Sequence, residues 1–272
     1  MPAERPIGVF DSGVGGLTVL RALAAALPEE AFLYLGDTAR LPYGTKSAES
    51  VVRYATQCAG ALIDRGVKAL VVACNTASAA ALTALEARFP EIPVIGVVEP
   101  GAAAAVAASL SGHIAVIATE GTIRGGAYRA AIERLRPAAR VTGISGQVFV
   151  ALAEEGWTEG PVTDLVAHRY LDQAFAGSDG PDTLLLGCTH FPVLAPALRR
   201  VVPQTAMLVD SAATTAAAAR ELLGLRGLRR QIPASSPRLR FLATDGPERF
   251  ARIGSIFLGS PLAAGDVELI DV

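Results

Sequence analysis

Short apolar runs alternate with longer amphipathic segments along most of this chain. Each run is apolar on both faces of an extended backbone, which is typical of strands in the middle of a sheet. The runs predict strands at 7–10, 31–35, 69–73, 94–98, 114–118, 140–144, 183–186, 207–209 and 239–243. The segments between them predict helices at 17–27, 50–65, 76–89, near 125–136, and at 161–175, 193–201 and 213–223.

This alternation of strands and helices predicts an α/β fold with mainly parallel sheets flanked by helices. In such folds ligands bind beyond the carboxyl ends of the strands. Polar or chemically active residues follow the predicted strands at these ends, namely Asp11, Asp37, Cys74, Thr119, Cys188 and Asp210. Their convergence predicts a functional site at that edge.

The two halves of the chain resemble each other in their order of motifs. The segment 7–13 parallels the segment 114–121, and each is followed by a later strand that ends in cysteine. We therefore predict two similar α/β domains, one formed by residues 1–97 with 210–272 and the other by residues 98–209. The chain would cross over between positions 97 and 112, and the site would lie in the cleft between the domains.

The composition indicates a folded protein that is not specialised for nucleic acid or membranes. Hydrophobic residues make up 51% of the chain and charged residues 18%, which provides for a large core. The net charge is −2 and no basic stripe is present, so direct binding of nucleic acid is not expected. No signal-peptide pattern and no apolar run near the roughly 20 residues of a membrane span are found. We expect a cytoplasmic protein without a membrane partner.

Two cysteines have the most distinctive surroundings in the chain. Cys74 and Cys188 each follow an apolar strand and precede a predicted helix, with Asn75, Thr76 and Thr189 directly after them. A helix N-terminus lowers the pKa of a thiol and offers free N–H groups, which could hold a carboxylate. The alternative is that a cysteine after an apolar strand is a small core residue. We interpret Cys58 in that way, because it lies in an amphipathic helix without such neighbours.

His190 and Asp11 are candidates to assist the thiols. His190 lies two positions after Cys188, at the same strand end, and Asp11 ends a strand just before a glycine-rich turn. Both could also be structural, as a buried histidine and as a turn or helix cap. A zinc site could use Cys74, Cys188 and His190, although the chain has no C-x-x-C pair. A Cys–His hydrolase would use only one thiol and leave the second unexplained.

Two cofactor-based readings fit the sequence less well. The glycines at 13, 15 and 16 are followed by threonine at position 18, so the full G-x-G-x-x-G spacing of a dinucleotide site is absent. A pyridoxal-phosphate enzyme needs a Schiff-base lysine. Lys68 precedes its strand and Lys46 lies in a polar loop, so neither is placed where such a lysine is expected.

The motifs at these strand ends resemble those of the glutamate racemases, within the aspartate/glutamate racemase superfamily. The matching segments are IGVFDSGVGGLTVL (7–20), YLGDTARLPYG (34–44), ACNTASA (73–79), GVVEPGA (96–102), IATEGTIRGGAY (117–128), GCTHFP (187–192) and VDSA (209–212). They span nearly the whole chain in the expected order. Two cysteine motifs together with the D-S-G and G-D-T-A-R-x-P-Y-G segments make the resemblance specific.

The resemblance implies an amino-acid racemase that interconverts L- and D-glutamate and supplies D-glutamate for peptidoglycan synthesis. It implies no metal and no other cofactor, and homodimers are common in the family. Cys74 would remove the α-proton of D-glutamate with help from Asp11, and Cys188 that of L-glutamate with help from His190. Such a reaction needs a base on one face of the α-carbon and an acid on the other.

The resemblance also implies a set of substrate-binding residues. These are Ser12, Asp37, Tyr43, Gly44, Asn75, Thr76, Thr119, Glu154 and Thr189. The match around Glu154 is weak, and Glu155 competes for the same role. Two alternatives stay open, namely a racemase of the same superfamily that acts on aspartate or another amino acid, and a non-catalytic protein that binds an acidic metabolite.

Overall fold

The chain forms two parallel β-sheets, as seen in a computed structural model that describes residues 2–177, 179–233 and 238–272. The strands are β1 (Ile7–Asp11), β2 (Phe32–Gly36), β3 (Ala69–Val72), β4 (Val94–Gly96), β5 (His113–Ala118), β6 (Arg140–Ser145), β7 (Thr183–Gly187), β8 (Met207–Asp210), β9 (Leu239–Ala243) and β10 (Val267–Leu269). The larger sheet has the order β10-β9-β2-β1-β3-β4, and the smaller sheet the order β6-β5-β7-β8.

Helices flank both sheets. They are α1 (Leu17–Ala26), α2 (Ala48–Asp64), α3 (Asn75–Arg88), α4 (Val98–Ala108), α5 (Glu120–Gly125), α6 (Ala127–Leu135), α7 (Val148–Glu154), α8 (Pro161–Leu171), α9 (Ala195–Val201), α10 (Ser211–Leu225) and α11 (Pro247–Leu258). The predicted α/β class with parallel sheets is confirmed.

The differences from the prediction lie mainly between the strands. The crossover near 97–112 contains α4, and α7, α11 and the short strand β10 were not predicted. The helix expected near 125–136 is divided at Gly126, whose φ of 69° ends α5 before α6 begins. The second cysteine is followed by a short 3-10 helix at Phe191–Leu194 before α9 starts at Ala195. The helix predicted at 161–175 ends at Leu171.

The smaller sheet repeats the strand order of the first four strands in the chain. The orders β2-β1-β3-β4 and β6-β5-β7-β8 are equivalent, so the strands that precede the two cysteines, β3 and β7, occupy equivalent positions. β9 pairs with β2 and thereby extends the larger sheet. The domain boundaries predicted at positions 97 and 210 stay a prediction.

A continuous core connects the two sheets. α10 packs against both α1 and α4, and one cluster of buried apolar side chains includes Leu17 beside the larger sheet and Phe149 and Phe191 beside the smaller. Close packing of this kind holds the strand ends of the two sheets in a fixed relation. Among the described residues, no helix is both long and apolar enough to cross a membrane.

Candidate active site

A cavity of about 500 Å³ lies where the carboxyl ends of strands from both sheets meet. Eleven of the predicted site residues line it: Ser12, Tyr43, Gly44, Cys74, Asn75, Thr76, Thr119, Glu154, Cys188, Thr189 and His190. Seven lining residues were not predicted: Leu41, Pro42, Gln147, Val148, Val150, Ala151 and Arg249. The two thiols therefore share one cavity, and each comes from a different sheet.

Cys74 lies just after β3 and caps the N-terminus of α3. Its sulfur accepts a hydrogen bond from the Ala77 N–H at 3.5 Å and donates one to the Ser12 hydroxyl at 3.5 Å. Burial, together with the nearby Asp11 carboxyl, raises the pKa of the Cys74 thiol to about 12. The N–H group at the start of α3 acts to lower this pKa, as predicted, but burial of the charged form outweighs that contact and the net shift is upward.

Cys188 lies just after β7, the strand of the smaller sheet that is equivalent to β3 in the larger sheet. Its sulfur is 3.9 Å from Nδ1 of His190, and both side chains are buried in the wall of the cavity. Burial alone would lower the pKa of His190, but hydrogen bonds to Cys188 and Glu154 raise it to about 10. A protonated imidazole therefore places a positive charge beside the Cys188 sulfur at neutral pH.

Glu154, rather than Glu155, is the carboxylate at this site. It ends α7, where its Oε1 lies 3.1 Å from Nε2 of His190 and its Oε2 accepts a hydrogen bond from Arg249 at 2.7 Å. Burial acts to raise the pKa of Glu154, but His190 and Arg249 together lower it. Glu155 is exposed at the C-terminus of the same helix.

Asp11 lies behind the cavity wall rather than in it. It ends β1 and is 1% exposed, and its Oδ2 accepts a hydrogen bond from the Gly13 N–H at 3.0 Å. Its Oδ1 is buried without a hydrogen-bond partner among the described residues. Burial raises the pKa of the Asp11 carboxyl, despite the opposing effect of His190.

Asp37 does not line the cavity either. It is fully buried and accepts hydrogen bonds from the Tyr43 hydroxyl, from Nε of Arg40 at 2.6 Å and from the Thr244 hydroxyl at 2.9 Å. Tyr43 and Gly44 do line the cavity. Asp37 thus supports a wall segment instead of reaching the cavity itself.

Asn75 connects the two cysteine segments directly. With its amide oriented to suit its neighbours, its nitrogen donates to the Gly187 carbonyl at 3.3 Å and its oxygen accepts from the Thr189 N–H at 3.2 Å. The Tyr128 hydroxyl lies 2.5 Å from the same amide. The Thr18 hydroxyl donates to the Thr189 carbonyl at 3.0 Å. These bonds fix the segment after β3 against the segment after β7.

Three threonine hydroxyls lie within hydrogen-bond distance of one another beside the first turn of α3. Thr76 lies 3.1 Å from both Thr119 and Thr122, and these two are 3.0 Å apart. Gly44 packs so closely on Thr119 that a Cβ at this position would lie 2.8 Å from the threonine Cβ. Together with the amide groups, these hydroxyls offer donors suited to a carboxylate.

Four residues that support the site were missed by sequence reasoning: Thr18, Thr122, Tyr128 and Arg249. Thr18, Thr122 and Tyr128 lie inside segments that match the racemase motifs, so those segments contained a signal for them. Arg249 lies on α11, a helix that was not predicted, and only the packing of that helix brings it to the cavity.

The structure also shows how the residues of two other chemistries weighed from the sequence are arranged. Within the three described ranges, no group of three or more His, Cys, Asp or Glu side chains is arranged to hold a metal ion. Lys68 is buried at the start of β3, where its Nζ contacts Glu30 at 2.5 Å and the Ala3 carbonyl at 2.7 Å. It is therefore at the end of the sheet remote from the cavity.

Two parallel sheets whose cysteine-bearing strand ends share one cavity define an α/β protein with two thiols available for acid–base chemistry. The family model described as Asp/Glu/Hydantoin racemase matches residues 7–219, and the chain belongs to that family. The resemblance seen in the motifs is thus confirmed.

Relatives named glutamate racemase match the chain over nearly its full length. The protein from Koribacter versatilis is 47% identical, with 100% of this chain and 99% of the relative covered. The protein from Geobacter metallireducens is 49% identical, with 97% of this chain and 95% of the relative covered.

Solved glutamate racemases also share the fold. The Francisella tularensis enzyme, crystallised with D-glutamate, superposes with a TM-score of 0.90 at 36% identity, covering 99% of this chain and 98% of that chain. An isoform from Bacillus anthracis gives a TM-score of 0.92 at 35% identity, with 98% of each chain covered. An aspartate racemase from Picrophilus torridus, at 16% identity and a TM-score of 0.54, shares the fold alone.

Proposed function

We propose that this chain interconverts L- and D-glutamate by proton transfer between the α-carbon and two thiols, without a cofactor. The strongest support for the proposal is that Cys74 and Cys188, which follow strands of two different sheets, line one cavity. The full-length similarity to glutamate racemases, one of them solved with D-glutamate, supports glutamate as the substrate.

The chemistry follows from the position of one thiol on each side of a bound amino acid. A thiolate on one face removes the α-proton, and the thiol on the other face delivers a proton to the planar carbanion. After each turnover the two sulfurs have exchanged protonation states. By resemblance to the family, Cys188 acts on L-glutamate and Cys74 on D-glutamate.

The two sulfurs have different neighbours. Burial keeps Cys74 protonated, so that it can serve as the acid when L-glutamate is the substrate. The imidazole of His190 lies 3.9 Å from the Cys188 sulfur, where it can exchange a proton with that sulfur as Cys188 takes the α-proton. Asp11, buried behind Cys74, is the group proposed to assist that thiol in the reverse direction.

The α-proton of an amino acid is only weakly acidic, so charge that develops on the α-carboxylate must be stabilised by fixed donors. Asn75, Thr76 and Thr189 follow the two cysteines and are themselves fixed by hydrogen bonds. Ser12, Thr119 and the Tyr43–Gly44 backbone complete the polar lining of the cavity. The two cysteines are only 5% and 6% exposed, so a substrate that fills the cavity would displace the remaining water from the reacting atoms and strengthen these interactions.

The biological setting belongs to the same proposal. The product D-glutamate would supply peptidoglycan synthesis in the cytoplasm, and the protein would act as a homodimer, as is common in the family. The test of assembly is the molar mass in solution, measured by light scattering. A monomer with full activity would remove the dimer from the proposal and leave the reaction intact.

The reaction itself is tested by polarimetry or circular dichroism with L- and D-glutamate, aspartate and alanine as separate substrates. We expect rapid racemisation of glutamate alone. The Cys74→Ser and Cys188→Ser variants should each lose racemisation, because either change removes one of the two bases. Cys58→Ser is the matched control, since Cys58 is buried in α2 and does not line the cavity. Preference for aspartate would favour the alternative racemase, and binding without turnover would favour a binding protein.

A further inference from the structure

Helix α11 reaches the catalytic histidine from the side of the larger sheet. It packs against α1 and β10. One of its residues contacts His190, and another contacts Glu154, the hydrogen-bond partner of His190. The ring of Phe257 lies edge-on against the imidazole, with 5.0 Å between the ring centroids and 71° between the planes. Arg249, nearer the start of the helix, lines the mouth of the cavity.

The Glu154 carboxylate is held by both of its oxygens. Oε1 lies 3.1 Å from Nε2 of His190, and Oε2 lies 2.7 Å from a guanidinium nitrogen of Arg249. Glu154 belongs to α7, beside the smaller sheet, so the ion pair with Arg249 joins the two parts of the molecule across the cavity mouth. A carboxylate that has only one partner can rotate about its side chain, whereas one with partners on both oxygens has a fixed plane.

A chain of contacts therefore runs from Arg249 at the protein surface, through Glu154 and His190, to the Cys188 sulfur. Arg249 is half-exposed, Glu154 is largely buried, and His190 and Cys188 are buried. The imidazole has Glu154 on Nε2 and Cys188 on Nδ1, so the position of Glu154 sets the direction in which Nδ1 points. Among the described residues, Arg249 forms no hydrogen bond with either sulfur or with the imidazole, so any effect that it has on the position of His190 passes through Glu154.

We propose that Arg249 is a positioning residue that fixes Glu154, and through it His190, so that the Cys188 half of the reaction depends on the ion pair between α11 and α7. The inference rests on the proposed function and assigns Arg249 to one of the two proton transfers. Cys74 is not part of this chain of contacts, so the proton transfer at Cys74 should not depend directly on Arg249.

The test compares Arg249→Met and Arg249→Lys with the wild-type protein. We expect Arg249→Met to lower kcat/KM about tenfold, since small displacements of a catalytic group have effects of this order or larger. The fall must be equal for the two enantiomers, because the equilibrium constant of a racemisation is one. Arg249→Lys should restore part of the loss, since it keeps the charge but not the forked geometry. Arg252→Met is the matched control, because Arg252 is an exposed arginine on the same helix.

A double-variant cycle shows whether the effect passes through Glu154. Arg249→Met should add little to the defect of Glu154→Gln, because coupled residues are not additive. Additive losses would overturn the proposal, since they would mean that Arg249 acts independently.

Isotope effects with α-deuterated substrates supply a readout that a merely structural role would not change. If the Cys188 step is the one that slows in Arg249→Met, the deuterium effect on kcat/KM should rise with L-glutamate and fall with D-glutamate. A rise in KM with unchanged isotope effects would show that Arg249 serves only to capture substrate, and would overturn the proposal. If the wild-type protein does not racemise glutamate at all, the proposed function fails, and that outcome is distinct from the others.

Discussion

Gly15 offers a sharp test of whether His190 must be held where the structure places it. Gly15 lies in the turn between β1 and α1, and its φ is not in the left-handed region, so alanine is compatible with its backbone. A Cβ at this position would lie 2.3 Å from Nδ1 of His190 and 2.5 Å from Oγ1 of Thr189. Nδ1 is the atom that faces the Cys188 sulfur.

The size of the disturbance follows from these distances. An ordinary contact begins at 3.4 Å, so the added methyl group must displace the imidazole or the turn by about 1 Å. The ring cannot simply retreat, because Phe257 and Glu154 pack on it. A misplacement of about 1 Å can lower a rate about 100-fold, whereas overpacking of this kind costs about 1–3 kcal/mol of stability. Gly15→Ala should therefore be a folded protein with at most about 1% of the wild-type kcat/KM.

The assay measures kcat/KM for L-glutamate beside urea unfolding for the wild type, Gly15→Ala and Gly60→Ala. Gly60 is the matched control, because it lies in α2 and a Cβ there meets no atom within 4 Å. Gly60→Ala should keep full activity and gain about 1 kcal/mol from the better helix propensity of alanine. If Gly15→Ala is fully active, His190 is not required in its present position, and the role assigned to it is wrong.

Two further predictions concern buried charges around the site. Asp37→Asn should raise KM for glutamate more than it lowers kcat, because Asp37 supports Tyr43 without lining the cavity; it should also cost about 2 kcal/mol in urea unfolding through the weakened contact with Arg40. A larger effect on kcat than on KM would place Asp37 in the chemistry itself. The raised pKa of His190 stabilises the folded state fully below its ordinary pKa of 6.5, and this contribution disappears as the pH rises through about 10. The free energy of unfolding should therefore fall across this range more steeply in the wild type than in His190→Gln, and equal slopes would contradict the assigned protonation.

Much of the fold follows from local sequence patterns. Strands such as β1 and β7 are apolar on both faces, and β1 ends in Asp11 while β7 is followed directly by Cys188, so both their existence and their carboxyl ends could be located. α4 was missed because its alanine-rich sequence has little periodicity. Pro100 lies in its first turn, where proline is acceptable because the N–H groups of that turn have no partner within the helix.

The sequence of α11 contains start, stop and spacing signals from which this helix could have been predicted. Pro247 begins the helix, Gly259 follows it with a φ of 75°, and buried residues recur between them at helical spacing, as at Phe250, Ile253 and Phe257. Missing this helix had a consequence for the site, because it supplies Arg249 and the ring that packs on His190.

The sequence also predicted only part of the chemistry of the site. Strand ends and motif resemblance located both thiols and most of the polar lining of the cavity. The lowering effect of the helix N-terminus on the pKa of Cys74 is local and visible in the sequence, whereas the depth of burial, which raises this pKa overall, depends on packing between distant segments. The choice of Glu154 over Glu155 likewise required the orientation of α7.

Whether two sulfurs act on opposite faces of one substrate can be decided by an early time course in heavy water. L-glutamate is incubated with the protein in D₂O, and deuterium at the α-carbon is measured by mass spectrometry after the two enantiomers are separated. Two thiols predict that the first D-glutamate formed carries deuterium while the remaining L-glutamate carries much less. Equal labelling of both enantiomers from the start, or D-glutamate that keeps its original proton, would show a single base and refute the mechanism with two thiols.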